Sequence, residues 1–177
     1  MANQTVSVGG ILATLSHVRL PMGLVLDSVE IRGSGLRVQT EPFDAQLPEP
    51  ARVIVTVSES ALAAFLEKSG AAGLHSFRVE IADGRIVVHA TKTVLIELRA
   101  KAVARLAIAD GKALNIELES VELLGGAGLT NLVRQQVAGL NPIFDAAELP
   151  FPLTLESVEA TDGVVRIFGQ MEPPQVP

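Results

Sequence analysis

From residue 94 to residue 108 every even position is apolar: Val94, Ile96, Leu98, Ala100, Ala102, Ala104, Leu106 and Ile108. Four of the odd positions are charged, namely Glu97, Arg99, Lys101 and Arg105. Successive side chains of a strand point to opposite faces, so this alternation predicts a half-buried strand with one wet face. A helix is the rival, because Glu97, Lys101 and Arg105 share an i, i+4 face and alanine favours helix. It would put Arg99 on the wrong side, and Asp110-Gly111 leads straight into a second alternating run, Leu114, Ile116 and Leu118. The strand is therefore preferred.

The same logic runs upstream and downstream. Phe77, Val79 and Ile81 alternate before Asp83-Gly84, a strong hairpin signal, and Ile86 and Val88 return, so residues 76–124 read as a long antiparallel meander. Val53, Val55 and Val57 predict another strand. Leu24 to Thr40 reads as a hairpin: Leu24 and Leu26, then Val29 and Ile31, with a slip between them, turning at Gly33-Ser34-Gly35. Pro42, Pro48 and Pro50 mark an extended loop after it. A final hairpin over Leu153 to Gly169 turns at Asp162-Gly163.

Two stretches switch to helical spacing. Ser58 can cap a helix whose first turn carries Glu59 and whose apolar stripe is Ala61, Leu62, Phe65 and Leu66, ending at Gly70. Leu129, Leu132, Val133, Val137 and Leu140, resumed by Ile143, Phe144 and Ala147, predict a helix of roughly 128–147, kinked or broken near Pro142. The expected class is α+β. A strand of about fifteen residues at ~3.3 Å each spans roughly 50 Å, and a sheet of such strands must twist and curve. One long, strongly curved antiparallel sheet wrapped around one long helix, a half-barrel with a second short helix at its end, follows. Residues 1–170 are expected to form a single domain and 171–177, rich in proline, a disordered tail.

Composition narrows what such a trough can do. Of the 177 residues 48% are hydrophobic but only 3% aromatic, with no Tyr or Trp, so the interior is aliphatic and offers little for stacking on bases or sugars. Fourteen Lys and Arg against twenty Asp and Glu give a net charge of −6, which argues against nucleic acid and against an electrostatic membrane anchor. The chain has no cysteine, which removes disulfides, cysteine-ligated zinc and thiol chemistry. No apolar run reaches the ~18–20 residues of a membrane span, although peripheral contact with a membrane is compatible with the sequence. The first residues show no export signal; the chain is expected in the cytoplasm if that start is native, and in an exported or envelope-associated place if a leader was removed.

No catalytic pattern emerges. His17, His75 and His89 have no carboxylate or second histidine at ligand spacing, and hydrolase, metalloprotease, phosphate-loop and dinucleotide motifs are missing. Gly33-Ser34-Gly35 is read as a turn rather than a nucleophile elbow, and Gly125-Gly126-Ala127-Gly128 as a hinge rather than an anion cradle. A non-enzyme without metal or cofactor is expected. One local pattern recurs, as Asp27-Ser28-Val29-Glu30, Glu119-Ser120-Val121-Glu122 and Glu156-Ser157-Val158-Glu159, read as repeated strand chemistry with a duplicated unit as the alternative. Ala100, Ala102 and Ala104 put three small side chains in a row on the apolar face. Either the 128–147 helix packs close there, or the gap widens into an apolar channel, and both can hold at different heights of the trough.

The order of these pieces resembles a known family. Val57-Ser-Glu-x-Ala-Leu62 opens a helix, Phe77-x-Val-x-Ile-x-Asp-Gly-x-Ile-x-Val88 forms a hairpin, and a long meander and a helix follow. Leu149-Pro-Phe-Pro-Leu-x-Leu-x-Ser-Val158 then enters the last Asp-Gly hairpin. Over roughly residues 24–169 this is similar to the LmeA-like phospholipid-binding family. The resemblance implies a fold similar to tubular lipid-binding (TULIP/SMP-like) domains, with non-enzymatic binding or transport of a lipid, or another long apolar molecule, in a groove between sheet and helix. Members commonly carry an export signal or membrane anchor, which is not visible in this sequence. The expected lining is Leu62, Phe65, Phe77, Ile96, Leu98, Ala102, Leu132, Val133, Val137 and Phe144. The alternative is a structural or interaction module whose trough is filled by its own helix and which forms homodimers through sheet edges.

Overall fold

The computed structural model describes residues 5–21, 23–40, 43–46, 49–69, 73–93, 97–123, 128–148 and 152–172. Eleven strands are defined among them: β1 Thr5–Arg19, β2 Val25–Thr40, β3 Phe43–Gln46, β4 Ala51–Ser58, β5 His75–Ala82, β6 Arg85–Thr93, β7 Glu97–Ala109, β8 Ala113–Leu123, β9 Phe144–Asp145, β10 Leu153–Thr161 and β11 Val164–Met171. The helices are α1 Glu59–Ser69 and α2 Gly128–Leu140, with a short 3-10 turn at Ala146–Glu148.

Instead of one continuous meander the strands form two curled antiparallel sheets. The first runs β1-β2-β4-β11-β10, with β3 added to β2; the second runs β5-β6-β7-β8-β9 and curls into a half-barrel. The three hairpin signals behave as expected: Asp83-Gly84, Asp110-Gly111 and Asp162-Gly163 all take positive φ at both positions, which matches the strand twist. The strand at 97–109, the meander of β5 to β8, β4, α1 and the last hairpin stand where the alternation puts them. Ser58 caps α1 by accepting a hydrogen bond from the Ala61 N–H at 3.3 Å.

Three expectations are corrected. The long helix of 128–147 ends at Leu140, before the cis Asn141-Pro142 bond; Phe144 lies in β9 and Ala147 in the 3-10 turn, so both helices are short. The missing proline N–H ends the helical ladder, and the returning chain pairs with β8 instead, Leu114 opposite Phe144. The hairpin at Gly33-Ser34-Gly35 does not form. Residues 25–40 are one strand, and its antiparallel partner is β1, in a single register from Thr5 opposite Gln39 to Arg19 opposite Val25. The glycines sit where β2 leaves β4, after Arg32, and takes up β3, at Arg37, so they serve a change of neighbour rather than a turn. Part of the expected loop after Pro42 is β3 itself. Of the expected tail over 171–177, Met171 belongs to β11, opposite Leu153 and Ala51, and Glu172 N–H donates to Pro152 O at 3.0 Å, while 173–177 lie outside the described residues.

The recurring acidic-Ser-Val-Glu pattern marks a structural device. Each copy continues an apolar alternation, as Leu24-x-Leu26, Ile116-x-Leu118 and Leu153-x-Leu155, and then shifts its phase by one residue. In β8 the register jumps so that Glu119 is the extra residue, and in β10 Glu156 is. A bulge of this kind returns the following valine to the face of the preceding leucines. Leu118 and Val121 accordingly border one void, while Leu155 and Val158 join one core. In β2 the phase changes at Asp27 without a register jump, opposite His17 of β1, which adopts φ 55°.

The core lies between the concave faces of the two sheets, closed by α1 and built from aliphatic side chains such as Val53, Val57, Ile81, Leu114 and Val165. Backbone hydrogen bonds join the sheets at one end. Gly84 N–H donates to Ala160 O at 2.9 Å, Gly163 N–H to Ile81 O at 3.0 Å and Leu155 N–H to Gly111 O at 2.6 Å. The Asp-Gly turns of the second sheet are thereby fastened to β10 of the first.

Gly169 and Gly139 make a matched test. A Cβ on Gly169 would lie 2.6 Å from Thr154 O, whereas one on Gly139 in α2 meets nothing within 4 Å. Gly169→Ala is expected to lose about 1–3 kcal/mol and Gly139→Ala to gain up to about 1 kcal/mol, measured by chemical denaturation. Equal effects of the two substitutions would contradict this packing at the β10–β11 pair.

Candidate functional site

The half-barrel does not close on itself. Along its floor Ala100, Ala102 and Ala104 of β7 point inward, flanked directly by Ala90, Val88 and Ile86 of β6, while Val121 and Leu118 of β8 pair with Ala102 and Ala104. Alanine fills far less volume than leucine at the same place, so the stripe leaves a void of about 140 Å3 above it. The opposite wall comes from Leu62, Phe65 and Leu66 of α1, one i, i+3, i+4 face, and from Val137 and Leu140 of α2. Phe77 and Val79 of β5 close the side.

A second void of about 40 Å3 lies within the first sheet, against Val53, Val55 and Val57 of β4, Val165 and Ile167 of β11, and Phe144 of β9. Leu24, Leu62, Leu106 and Ile143 border both voids, so four aliphatic side chains are the waist between two compartments of one apolar interior. Among the described residues no buried side chain is polar or charged. An aliphatic cavity of roughly 150 Å3 stays dry and accepts apolar guests, and this interior has the same chemistry.

Of the ten expected lining residues, Leu62, Phe65, Phe77, Ala102 and Val137 border the larger void and Leu62 and Phe144 the smaller. Leu98 is half-buried on β7 but borders neither void. Ile96 lies outside the described residues, and Leu132 and Val133 are on α2 with side chains outside the description. The sequence reading missed the contributions of β6 and β8, Ile86, Val88, Ile116, Leu118 and Val121. Their period-two spacing was visible. What was hidden is that both strands flank the alanine stripe, a matter of register.

The walls are set by capping of strand edges. Glu67 of α1 accepts hydrogen bonds from the N–H groups of Ser76 and Phe77, at 3.3 and 3.1 Å, and Glu59 accepts one from Ile81 at 2.7 Å, so one helix covers the free edge of β5. Asn141 does the same for β8. Its Oδ1 accepts from Ile116 N–H at 2.8 Å and its Nδ2 donates to Ile116 O at 2.9 Å, imitating a strand residue at the end of α2. Outside the half-barrel, Glu119 receives both Arg85 and Arg105 at 2.7 Å and thereby ties β6, β7 and β8 together. The Glu119 carboxylate holds the Arg85 guanidinium even more firmly in its charged form than usual.

Among the described residues no reactive constellation stands beside this interior. His75 bonds Ser76 and Thr93 hydroxyls at 3.0 and 3.1 Å, His89 is 3.9 Å from Glu80, and His17 is exposed. Among the described residues no group of His, Asp or Glu is arranged to hold a metal ion, and no helix is long and apolar enough to cross a membrane.

Comparison with protein families matches residues 42–170 to the LmeA-like phospholipid-binding family, and the chain belongs to it. Its family therefore points to lipid binding. No curated protein and no solved structure matches the chain.

Asn141→Leu keeps the side-chain size but removes both hydrogen bonds to Ile116. The variant is expected to lose about 1–3 kcal/mol and to speed hydrogen exchange at the Ile116 amide while more distant amides of β4 keep their protection. Unchanged exchange at Ile116 would show that the side-chain pair does not hold the end of α2 on β8.

Proposed function

We propose, with membership of the LmeA-like phospholipid-binding family as the premise, that this chain holds the acyl portion of a phospholipid between the half-barrel and its two helices, and carries it without changing it chemically. The observation that carries this reading is the alanine floor of β7, which leaves an apolar void at the centre of a sheet that could otherwise have been packed solid. An interior with no buried polar side chain among the described residues can take hydrocarbon but cannot satisfy a phosphate, so the headgroup stays outside. The proposed contacts are Leu62, Phe65, Phe77, Ala102, Val137 and Phe144, together with Ile96, Leu98, Leu132 and Val133.

Both voids are smaller than the roughly 300–1,000 Å3 of a typical ligand pocket. Loading therefore needs a wall to move. The wall we assign is α2, which rests chiefly on β8 and is fastened at its end by the Asn141 pair, whereas α1 is bound through two carboxylates to the backbone of β5. Moving α2 away from the alanine stripe would join the compartments across the waist at Leu106 and Ile143.

The direct test is native mass spectrometry of the purified, tag-free chain, with lipid analysis of its organic extract. A stoichiometric phospholipid adduct that is lost on denaturation is the expected result. A clean unliganded mass that also resists loading from vesicles would favour the filled-core interaction module. In parallel, Ala102→Phe fills the void at its floor and should weaken uptake of a fluorescent phospholipid by about tenfold or more, equivalent to about 1.4 kcal/mol. Uptake unchanged in a folded variant would remove the β7 floor from the binding wall.

A further inference from the structure

Among the described residues the protein caps three outer sheet edges with its own groups, while the four-residue β3 pairs only with β2. The β5 edge is covered by Glu59 and Glu67, the β8 edge by Asn141 and β9, and the β10 edge by the Asp-Gly turns of the second sheet. The long edge left over is β1, which pairs with β2 along one side and, among the described residues, meets no strand on the other. Uncovered edges are ordinarily protected by charge, proline or a bulge. From Thr5 to Val18 this strand has no Asp, Glu, Lys, Arg or Pro, and its one charged residue, Arg19, stands at its end. Its register with β2 is unbroken. Among the described residues the exposed large hydrophobic side chains are Leu12 at 65% and Leu15 at 51%, both on this strand.

We propose that β1 is a dimerisation edge, pairing antiparallel with β1 of a second copy about a two-fold axis at Ala13. Directly opposed residues of neighbouring strands share a face, so Leu15 beside Val29 and Ala13 beside Ile31 lie on the core side of the first sheet. Ile11 follows on the same side by alternation. A two-fold axis at Ala13 sets Ile11 of each copy against Leu15 of the other and the smallest side chain against itself, which keeps apolar groups on the concave side. Leu12, on the outer face beside Arg32, then packs by Thr14 of the second copy. The one charge of the strand, Arg19, is set opposite Ser7 by this axis, so no like charges meet when the strand faces itself. This axis sets residues 7–19 of the two strands side by side, over about 43 Å, and buries on the order of 1,000 Å2 in total, enough for a specific contact. The axis closes the assembly at two copies, because each β1 edge is used up by the other. The β1–β2 ribbon, residues 5–40, precedes the family-matched segment, so the pairing does not depend on the lipid reading.

Analytical ultracentrifugation of the full chain gives the test. Wild type is expected to be a dimer at tens of micromolar, and Leu12→Lys with Leu15→Lys to weaken association by about a hundredfold or more with an unchanged melting temperature and unchanged lipid loading. Because the chain has no cysteine, single cysteines at 11, 13 and 15 report the register, and Ala13→Cys should form the disulfide-linked dimer fastest. A monomeric wild type, including one that instead binds phosphatidylglycerol vesicles through these leucines, overturns the proposal. So does a dimer that survives the double lysine variant, or cross-linking fastest at another of the three positions.

Discussion

The interior of this protein depends on how its two sheets are fastened at one end. A half-barrel that is not closed leaves backbone N–H and C=O groups along its edges and an apolar concave face, and both must find partners. The Asp-Gly turns place backbone groups of Gly84 and Gly111 against β10, and three hydrogen bonds join the sheets there. Those turns can approach so closely because a positive φ at both positions keeps the loop short and twisted with its strands. With one end fixed, the sheets diverge away from it. The space between them must then be filled by side chains, covered by helices or left empty.

All three happen, at successive heights. Near the seam Ile81, Val165 and Ala160 are buried in the core, with Val165 at the border of the smaller void. Above it, α1 seals the side of β5, and it can do so because its two glutamates replace the strand partner that β5 lacks. Further along, three alanines in sequence on β7 withhold the volume that leucine would have supplied, and the void begins. A carboxylate that caps edge N–H groups is a charge-assisted acceptor, stronger than a neutral one, which makes α1 the firmer wall. Asn141 offers β8 only neutral bonds, and this asymmetry is the physical basis for assigning movement to α2.

Much of this was legible in the chain. Asp-Gly pairs, the Ser58 cap and the even-numbered apolar run over 94–108, of which 94–96 lie outside the described residues and the rest is in β7, point to turns, a helix start and a strand without reference to anything distant. Local chemistry decides such features. The failures were at positions where a distant partner decides. Gly33-Ser34-Gly35 has the composition of a turn, yet the strand continues because β1 supplies an unbroken partner on one side while β4 and β3 share the other. The stripe Ile143, Phe144, Ala147 continues the helical spacing of α2, but pairing with β8 captures that segment. For the candidate site, the small side chains of β7 were found, and the neighbouring strands were not assigned to the lining because pairing register is not written in any one segment.

The recurring motif explains how a protein with so regular an alternation makes a curved, sealed interior at all. Strict period two over sixteen residues would hold one face inward while the sheet twists away from the core, so a long strand would eventually present its apolar side to solvent. Inserting one residue re-phases the strand. At Glu119 and Glu156 the inserted residue is acidic and projects outward, where it meets Arg85 and Arg105 in one case and the Gln170 amide in the other. Ser and Val follow, and the valine resumes the inward set. A small polar residue and a β-branched one fit that sequence of demands, since the serine stands near the disrupted ladder and the valine packs on the restored face. At Asp27 the carboxylate accepts the Ser58 N–H at 2.6 Å, and the phase change is shared with His17 rather than made by an insertion. The same three-letter solution thus bends strands in both sheets, and it keeps the apolar face turned toward the space where the lipid reading needs it.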